Sequence, residues 1–197
     1  MVLASASPRR RELLSQIGVR FVPMAVDVTE SPRAGERPPD YVRRVAADKS
    51  QAGRERAGDA RPVLGADTEV VLEGEVFGKP LDFGHAREML TRLSGRAHQV
   101  LSAVSLRQGE RHWLALSESI VVFRALTERE IEAYWASGEP KDKAGAYAIQ
   151  GRGSLFVSRL EGSFSGVMGL PLFETAALLA NVGIEPSGLL RAESPAR

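Results

Sequence analysis

The stretch Met1-Val2-Leu3-Ala4-Ser5-Ala6-Ser7-Pro8-Arg9-Arg10-Arg11-Glu12 organises the chain. Val2, Leu3 and Ala4 form a short apolar run that reads as a buried strand. Ser7-Pro8 then opens a helix: serine suits the N-cap, and proline at the first helical position lacks only an N–H that would have no intrahelical partner. Leu13, Leu14 and Ile17 give that helix an apolar face, and Gly18 stops it. The strand thus delivers a helix N-terminus, with the Ser5 and Ser7 hydroxyls and the first-turn N–H groups pointing one way. Arg9, Arg10 and Arg11 place positive charge where the helix dipole is already positive, which opposes stability by roughly 0.3–1 kcal/mol per charge. A bound anion would reverse that sign. Two readings stand on this stretch alone: a phosphate-binding corner, or an ordinary capped helix with solvated arginines.

The rest of the composition narrows the field. A chain of 197 residues fits one domain with two lobes, and 43% hydrophobic with 26% charged residues is ordinary globular usage. A formal net charge of +1 argues against a dedicated nucleic-acid binder. Without cysteine there are no disulfides, thiolate nucleophiles or thiolate metal sites. No apolar run reaches membrane-spanning length and no secretory leader is evident, so a soluble cytoplasmic protein that binds no membrane is expected. Basic residues are nearly all arginine. The lysines Lys49, Lys79, Lys141 and Lys143 therefore mark positions where a compact point charge is useful.

Outward from the opening, Arg20 to Val26 reads as a strand interrupted by Pro23, hence an edge. Asp27 to Pro39 is a polar loop carrying Glu30, and Tyr41 to about Arg56 an amphipathic helix. Lys49 falls beside the apolar stripe of that helix, so its head reaches either a cleft or the surface. Pro62 to Leu72 is a strand, Glu73-Gly74-Glu75 a hairpin turn, and Val76-Phe77 the return, ending at Gly78-Lys79-Pro80. Asp82 caps a helix to Leu93. Ala97 to Leu106 and Trp113 to Arg124 form an antiparallel pair, and Thr127 to Glu130 is a capping box opening a helix to about Ser137. Gly138 to Gly153 is aperiodic, Ser154 to Leu160 a strand, and Gly162 to Gly169 a glycine-rich turn. Pro171 starts the last helix, and Glu185 to Arg197 reads as a frayed tail.

Asp67 is the most informative acid. It follows an uncharged apolar run, so its strand is buried and its carboxylate needs a partner, a network or a metal. Thr68 beside it can donate to a ligand. A structural carboxylate satisfied by nearby backbone is the alternative. Gly162-Ser163-Phe164-Ser165-Gly166 invites comparison with a hydrolase nucleophile elbow. That reading fails, since Gly166, Gly169 and Pro171 break the helix an elbow needs and His112 is the last histidine. His85, His98 and His112 share no metal-ligand spacing. There is no Walker A motif, and Gly151-Arg152-Gly153 is not a dinucleotide fingerprint. What remains is a set of polar loop positions from Ser5 to Arg10, with Glu30, Lys49, Asp67-Thr68, Lys79, Lys143 and Gln150. Its cationic excess suits a polyphosphate, with one or two carboxylates left for a divalent metal.

Leu3 to Leu14, Gly65-Ala66-Asp67-Thr68, Gly78-Lys79-Pro80, Asp142 to Tyr147, Ile149-Gln150-Gly151 and Gly169-Leu170-Pro171 together resemble the Maf family of nucleoside triphosphate pyrophosphatases, from Val2 to about Leu179. The Asp142 to Gly151 stretch resembles the subgroup acting on dTTP and UTP. The resemblance implies an elongated α/β fold with a mixed twisted sheet flanked by helices, two lobes around a central cleft, and often a homodimer. It implies hydrolysis to a monophosphate and pyrophosphate with Mg²⁺ or Mn²⁺. It casts Asp67 as proton acceptor for water and as a metal contact, and Arg9, Thr68 and Gln150 in substrate choice. Ser5, Ser7, Arg10, Lys49 and Lys79 fall at the phosphate, with Glu30 a metal ligand. Glu69, Ala148 and Phe164 depart from the family's usual residues. A non-catalytic nucleotide-binding regulator of septum formation is the rival, disfavoured because a pure sensor needs no base.

Overall fold

One strand orders the molecule. β3 (Val63–Leu72) is buried along its whole length except at Thr68. The computed structural model describes residues 1–186 and sets β3 inside a seven-stranded mixed sheet. β5 (Ala97–Gln108) runs antiparallel along one edge of β3, with Asp67 opposite Ala103. β6 (Arg111–Phe123) and β7 (Val157–Glu161) continue outward from β5, each antiparallel to the last.

The other edge of β3 is divided. β1 (Val2–Leu3) lies parallel to its start, at Val63 and Leu64, and β2 (Val22–Pro23) lies parallel outside β1. Pro23 cannot donate to a ladder, which suits that outermost place. β4 (Glu75–Phe77) returns through the Glu73-Gly74 turn and pairs antiparallel with Val70–Leu72. Both turn residues have positive φ, as a tight hairpin of this twist requires. Residues 65–69 are thereby left without a strand neighbour on that edge among the described residues. The sheet has a notch at the middle of its central strand.

Helices close the two ends. α1 (Pro8–Gln16) and α6 (Leu172–Ala180) cover a core of Leu3, Leu14, Leu64, Val104, Leu106, Leu170 and Leu179. α3 (Phe83–Leu93) and α4 (Glu128–Ala136) cover a second core of Val70, Phe77, Leu90, Phe123, Tyr134, Tyr147 and Phe156. Asp82 accepts from the His85 N–H to cap α3, and Thr127 and Glu130 make the expected reciprocal box on α4. α2 (Pro38–Ala57) packs across β3 and β5. The notch lies between the two cores, so the two-lobed α/β reading holds.

Three sequence expectations change. Residues Arg152–Phe156 wind as a 3₁₀ turn, and the strand expected from Ser154 begins only at Val157. Ser154 N–H donates to Gly151 O to close the turn, and the Glu139 carboxylate holds the preceding Arg152 and Gly153 N–H groups. The glycine-rich Gly162–Gly169 segment contains a five-residue helix, α5 (Phe164–Met168), because the Ser163 hydroxyl accepts from Gly166 N–H and caps it. The helix expected from Tyr41 starts at Pro38, proline again serving at a first turn. The expected tail lies, beyond residue 186, outside the described residues. No described helix is long and apolar enough to cross a membrane.

Candidate active site

Strand alternation puts Gly65, Asp67 and Glu69 on one face of β3, the face covered by α2. Gly65 makes the approach possible: a Cβ there would sit 2.5 Å from both Ala46 O and Ser50 N of α2. With nothing in the way, α2 presses onto β3 and lays Lys49 over Asp67. The Lys49 ammonium donates to Asp67 Oδ1 at 2.8 Å and is paired with Glu30 Oε1 at 2.7 Å. Lys79, at the end of β4, stands 3.5 Å from Glu30 Oε2. Lys49 is thus a buried cleft residue rather than a surface one.

Two carboxylate oxygens are left over. Asp67 Oδ2 and Glu69 Oε2 are both buried without a hydrogen-bond partner among the described residues. Burial, then the charge of Asp67, push Glu69 well above the ordinary carboxylate range. Burial also raises Glu30, but the hydrogen bond and charge of Lys49, with Lys79, outweigh it and hold Glu30 below its ordinary value.

The β1–α1 corner forms the opposite wall. Arg10 Nε donates to Gly169 O at 2.8 Å and its Nη1 to Ser5 Oγ at 3.3 Å, and Arg9 Nε donates to Met168 O at 3.1 Å. Arg9 also stands 3.8 Å from Asp142. Both guanidinium groups are therefore held against the turn after α5, and only Arg11 is exposed. Burial draws Arg10 below its ordinary value, against the opposing pull of Asp67. Ser7 occupies the N-cap, but its hydroxyl makes no capping bond; its N–H donates to Ser5 Oγ instead. That leaves the first-turn donors of α1 without side-chain capping, as an anion site requires.

The rim comes from residues 138–153. Gly145 sits so close to Val70 that a Cβ would meet it at 2.8 Å, which tucks this loop against β3. Tyr134 OH donates to Glu139 Oε1 at 2.7 Å and accepts from Ala148 N–H at 3.0 Å. Together with the Glu139 bonds to Arg152 and Gly153, these fix both sides of Gln150. The Gln150 side chain itself is exposed and has no hydrogen-bond partner among the described residues. His98 Nε2 lies 2.9 Å from Tyr147 OH and ties the rim to β5.

Ser5, Ser7, Arg9, Arg10, Glu30, Lys49, Asp67, Thr68, Lys79 and Gln150 all line one cleft of about 640 Å³. Glu69, Asp142 and Lys143 join them there, so five cations face four carboxylates. The cationic excess is smaller than the sequence suggested. Period-two alternation from Asp67 is the sequence signal that places Glu69 on the same face of β3. Thr68 needs a correction. Its Oγ1 lies 2.9 Å from Ser102 Oγ, and Ser102 donates its single proton to Gly166 O at 2.6 Å. Thr68 must therefore donate to Ser102, and it offers a ligand acceptor lone pairs rather than a proton. The serine segment also differs from its sequence reading. A helix does follow Ser163, and the centre of the five-residue pattern is Phe164, not a serine, so the elbow remains excluded. Among the described residues no three His, Cys, Asp or Glu converge on one metal.

The Maf-like protein family model matches residues 1–182. A dTTP/UTP pyrophosphatase of Methylococcus capsulatus is 63% identical over 195 residues, covering 99% of this chain and 96% of that protein. One from Nitrosomonas europaea is 52% identical, covering 92% and 94%, and one from Shewanella oneidensis 51%, covering 93% and 98%. A solved nucleoside-triphosphatase / dITP/XTP pyrophosphatase from Mycobacterium abscessus matches 70% of this chain and 94% of its own at TM-score 0.41 and 16% identity, too loose for inference.

Proposed function

The chain belongs to the Maf-like family, and from that premise we infer that it is a nucleoside triphosphate pyrophosphatase acting on dTTP and UTP, releasing the monophosphate and pyrophosphate. The observation that supports this best is the state of Asp67. One oxygen is fixed by Lys49, the other is buried and unpartnered, and the acid faces Arg9, Arg10 and Lys79 across a common hollow.

A nucleoside triphosphate carries about four negative charges, so charge must be balanced before chemistry can proceed. Arg9 and Arg10, held by the carbonyls of Met168 and Gly169, supply preset donors with the α1 N-terminus, and the more exposed Lys79 adds a further positive charge. Lys49 orients Asp67, leaving Oδ2 as the acceptor for a proton from an attacking water. General-base assistance of this kind is typically worth ~10²–10⁴-fold. Gln150 has both a donor and an acceptor, which matches the carbonyl and N–H edge of uracil or thymine.

A divalent cation, Mg²⁺ or Mn²⁺, suits the donor set. All candidate ligands are carboxylates, and two of their oxygens lack partners. Asp67 would hold it, and Glu30 is the second ligand that the family resemblance suggests. When bound, it neutralises phosphate charge and polarises the phosphorus under attack. A binding-only regulator would have no use for an acid oriented in this way.

The test is product analysis on a nucleotide panel, with and without Mg²⁺. dTTP and UTP should give pyrophosphate plus the monophosphate, faster than purine triphosphates. Orthophosphate as sole product, or no turnover of any pyrimidine triphosphate, would overturn the assignment.

A further inference from the structure

We propose that Glu69, not Glu30, is the carboxylate that partners Asp67 in anchoring a divalent cation in this cleft. The proposal deepens the pyrophosphatase reading and rests on it for the cation's role. Three observations carry it. Asp67 and Glu69 stand two residues apart on one face of β3, inside the notch where no neighbouring strand covers them. Both are more than nine-tenths buried, both line the cleft, and each has an oxygen with no partner. The Glu69 side chain makes no hydrogen bond and no ion pair among the described residues, so no cation of the cleft touches it directly. An unpaired buried carboxylate is retained at a cost unless positive charge is delivered to it.

Glu30 is in the opposite situation. Its Oε1 is paired with Lys49 and its Oε2 with Lys79, and it is well exposed. A cation ligated by Glu30 would have to displace two ammonium groups. The pair Asp67–Glu69 requires no such exchange. Two carboxylates do not make a complete protein cage, and none of three is present among the described residues. That matches a small hard cation that keeps waters and takes its remaining ligands from substrate phosphates. The cation's charge also offsets a triphosphate entering a cleft whose own cations barely exceed its acids.

The test uses the full chain and Mn²⁺ alone, titrated by electron paramagnetic resonance, with Glu69→Gln, Glu30→Gln and the unmodified protein. The two variants remove the same charge, so a difference between them is positional. Glu69→Gln should weaken Mn²⁺ binding at least about tenfold, and Glu30→Gln less than about threefold. Thermal melts check folding: the unmodified protein should be stabilised by Mn²⁺ and Glu69→Gln should not, while Glu69→Gln without metal melts at or above the unmodified protein. No Mn²⁺ site on the unmodified protein, an unchanged affinity in Glu69→Gln, or an equal loss in Glu30→Gln would overturn the proposal. Pyrophosphate release from dTTP by the unmodified protein is read separately. Release combined with a Glu69-independent Mn²⁺ site removes the anchor and leaves the activity; a Glu69-dependent site without release removes the activity and leaves the anchor.

Discussion

The floor of the cleft and its rim are built by different means. The floor is regular structure: β3 held by its ladder to β5, α2 seated on Gly65, and Lys49 placed between Glu30 and Asp67. The rim is irregular, a succession of 3₁₀ turns from Glu139 to Phe156 fixed by side chains that reach across sequence to backbone N–H groups. A ladder fixes its residues collectively, whereas a rim hung on two side chains depends on each of them. The chemical groups accordingly sit on the floor, and the residue suited to reading a base sits on the rim.

The largest way to break this contrast is Lys49→Met. It leaves Asp67 as a buried charge with no counter-ion, and loss of one partner of a buried pair costs about 3–5 kcal/mol. Urea denaturation should register that loss; a change below about 1 kcal/mol would mean that the floor does not depend on the pair.

Next comes the joint between floor and rim. His98 is buried against Tyr147, its Nδ1 has no partner among the described residues, and burial pulls its pKa down to about 4. The unfolded chain takes up a proton near the ordinary value of about 6.5, while the folded chain refuses it until about pH 4. Stability is therefore undiminished above pH 6.5 and falls by about 3 kcal/mol as pH drops towards 4. His98→Asn should flatten that window, and an equal slope in the variant would show that His98 is not its source.

Smaller still is Glu139→Ala, which strands the N–H groups of Arg152 and Gly153 and should cost about 1–3 kcal/mol. Its diagnostic is kinetic: KM for dTTP rises and pyrimidine selectivity falls, while kcat changes little. A collapse of kcat would merge rim with floor. The smallest effect on stability is expected of Gln150→Ala, which should leave melting unchanged and narrow the gap between pyrimidine and purine triphosphates. An unaltered substrate profile would remove Gln150 from base recognition.

The same contrast explains what was legible in the sequence. Floor elements announce themselves by period and punctuation: the Val63–Leu72 run, the Glu73-Gly74 turn, the Asp82 cap and the Thr127 box all appear where expected. The notch was not legible, because pairing of β1 with β3 joins segments some 60 residues apart by a rule that no local pattern contains. The rim was illegible for a related reason. Glu139 and Tyr134 fix it through bonds to backbone N–H groups 13 and 14 residues away, and the strand expected from Ser154 starts only at Val157. Asp67 and Lys49 stand in the middle of β3 and α2, and what marked them was an acid after an uncharged run and a lysine beside an apolar stripe in a chain that mostly uses arginine. Thr68 lines the cleft, and its polarity was not legible, since Ser102 is visible only once β5 is aligned.

The central claim is that an oriented acid, separable from the groups that bind the phosphates, primes the water. Asp67→Asn tests it most directly, with dTTP affinity and turnover measured on the same preparation. The account predicts that turnover at saturating dTTP and Mg²⁺ falls by ~10²–10⁴-fold, beyond any loss of dTTP affinity that follows from weaker cation binding. Near-normal turnover, or a loss explained wholly by weaker binding, would contradict it.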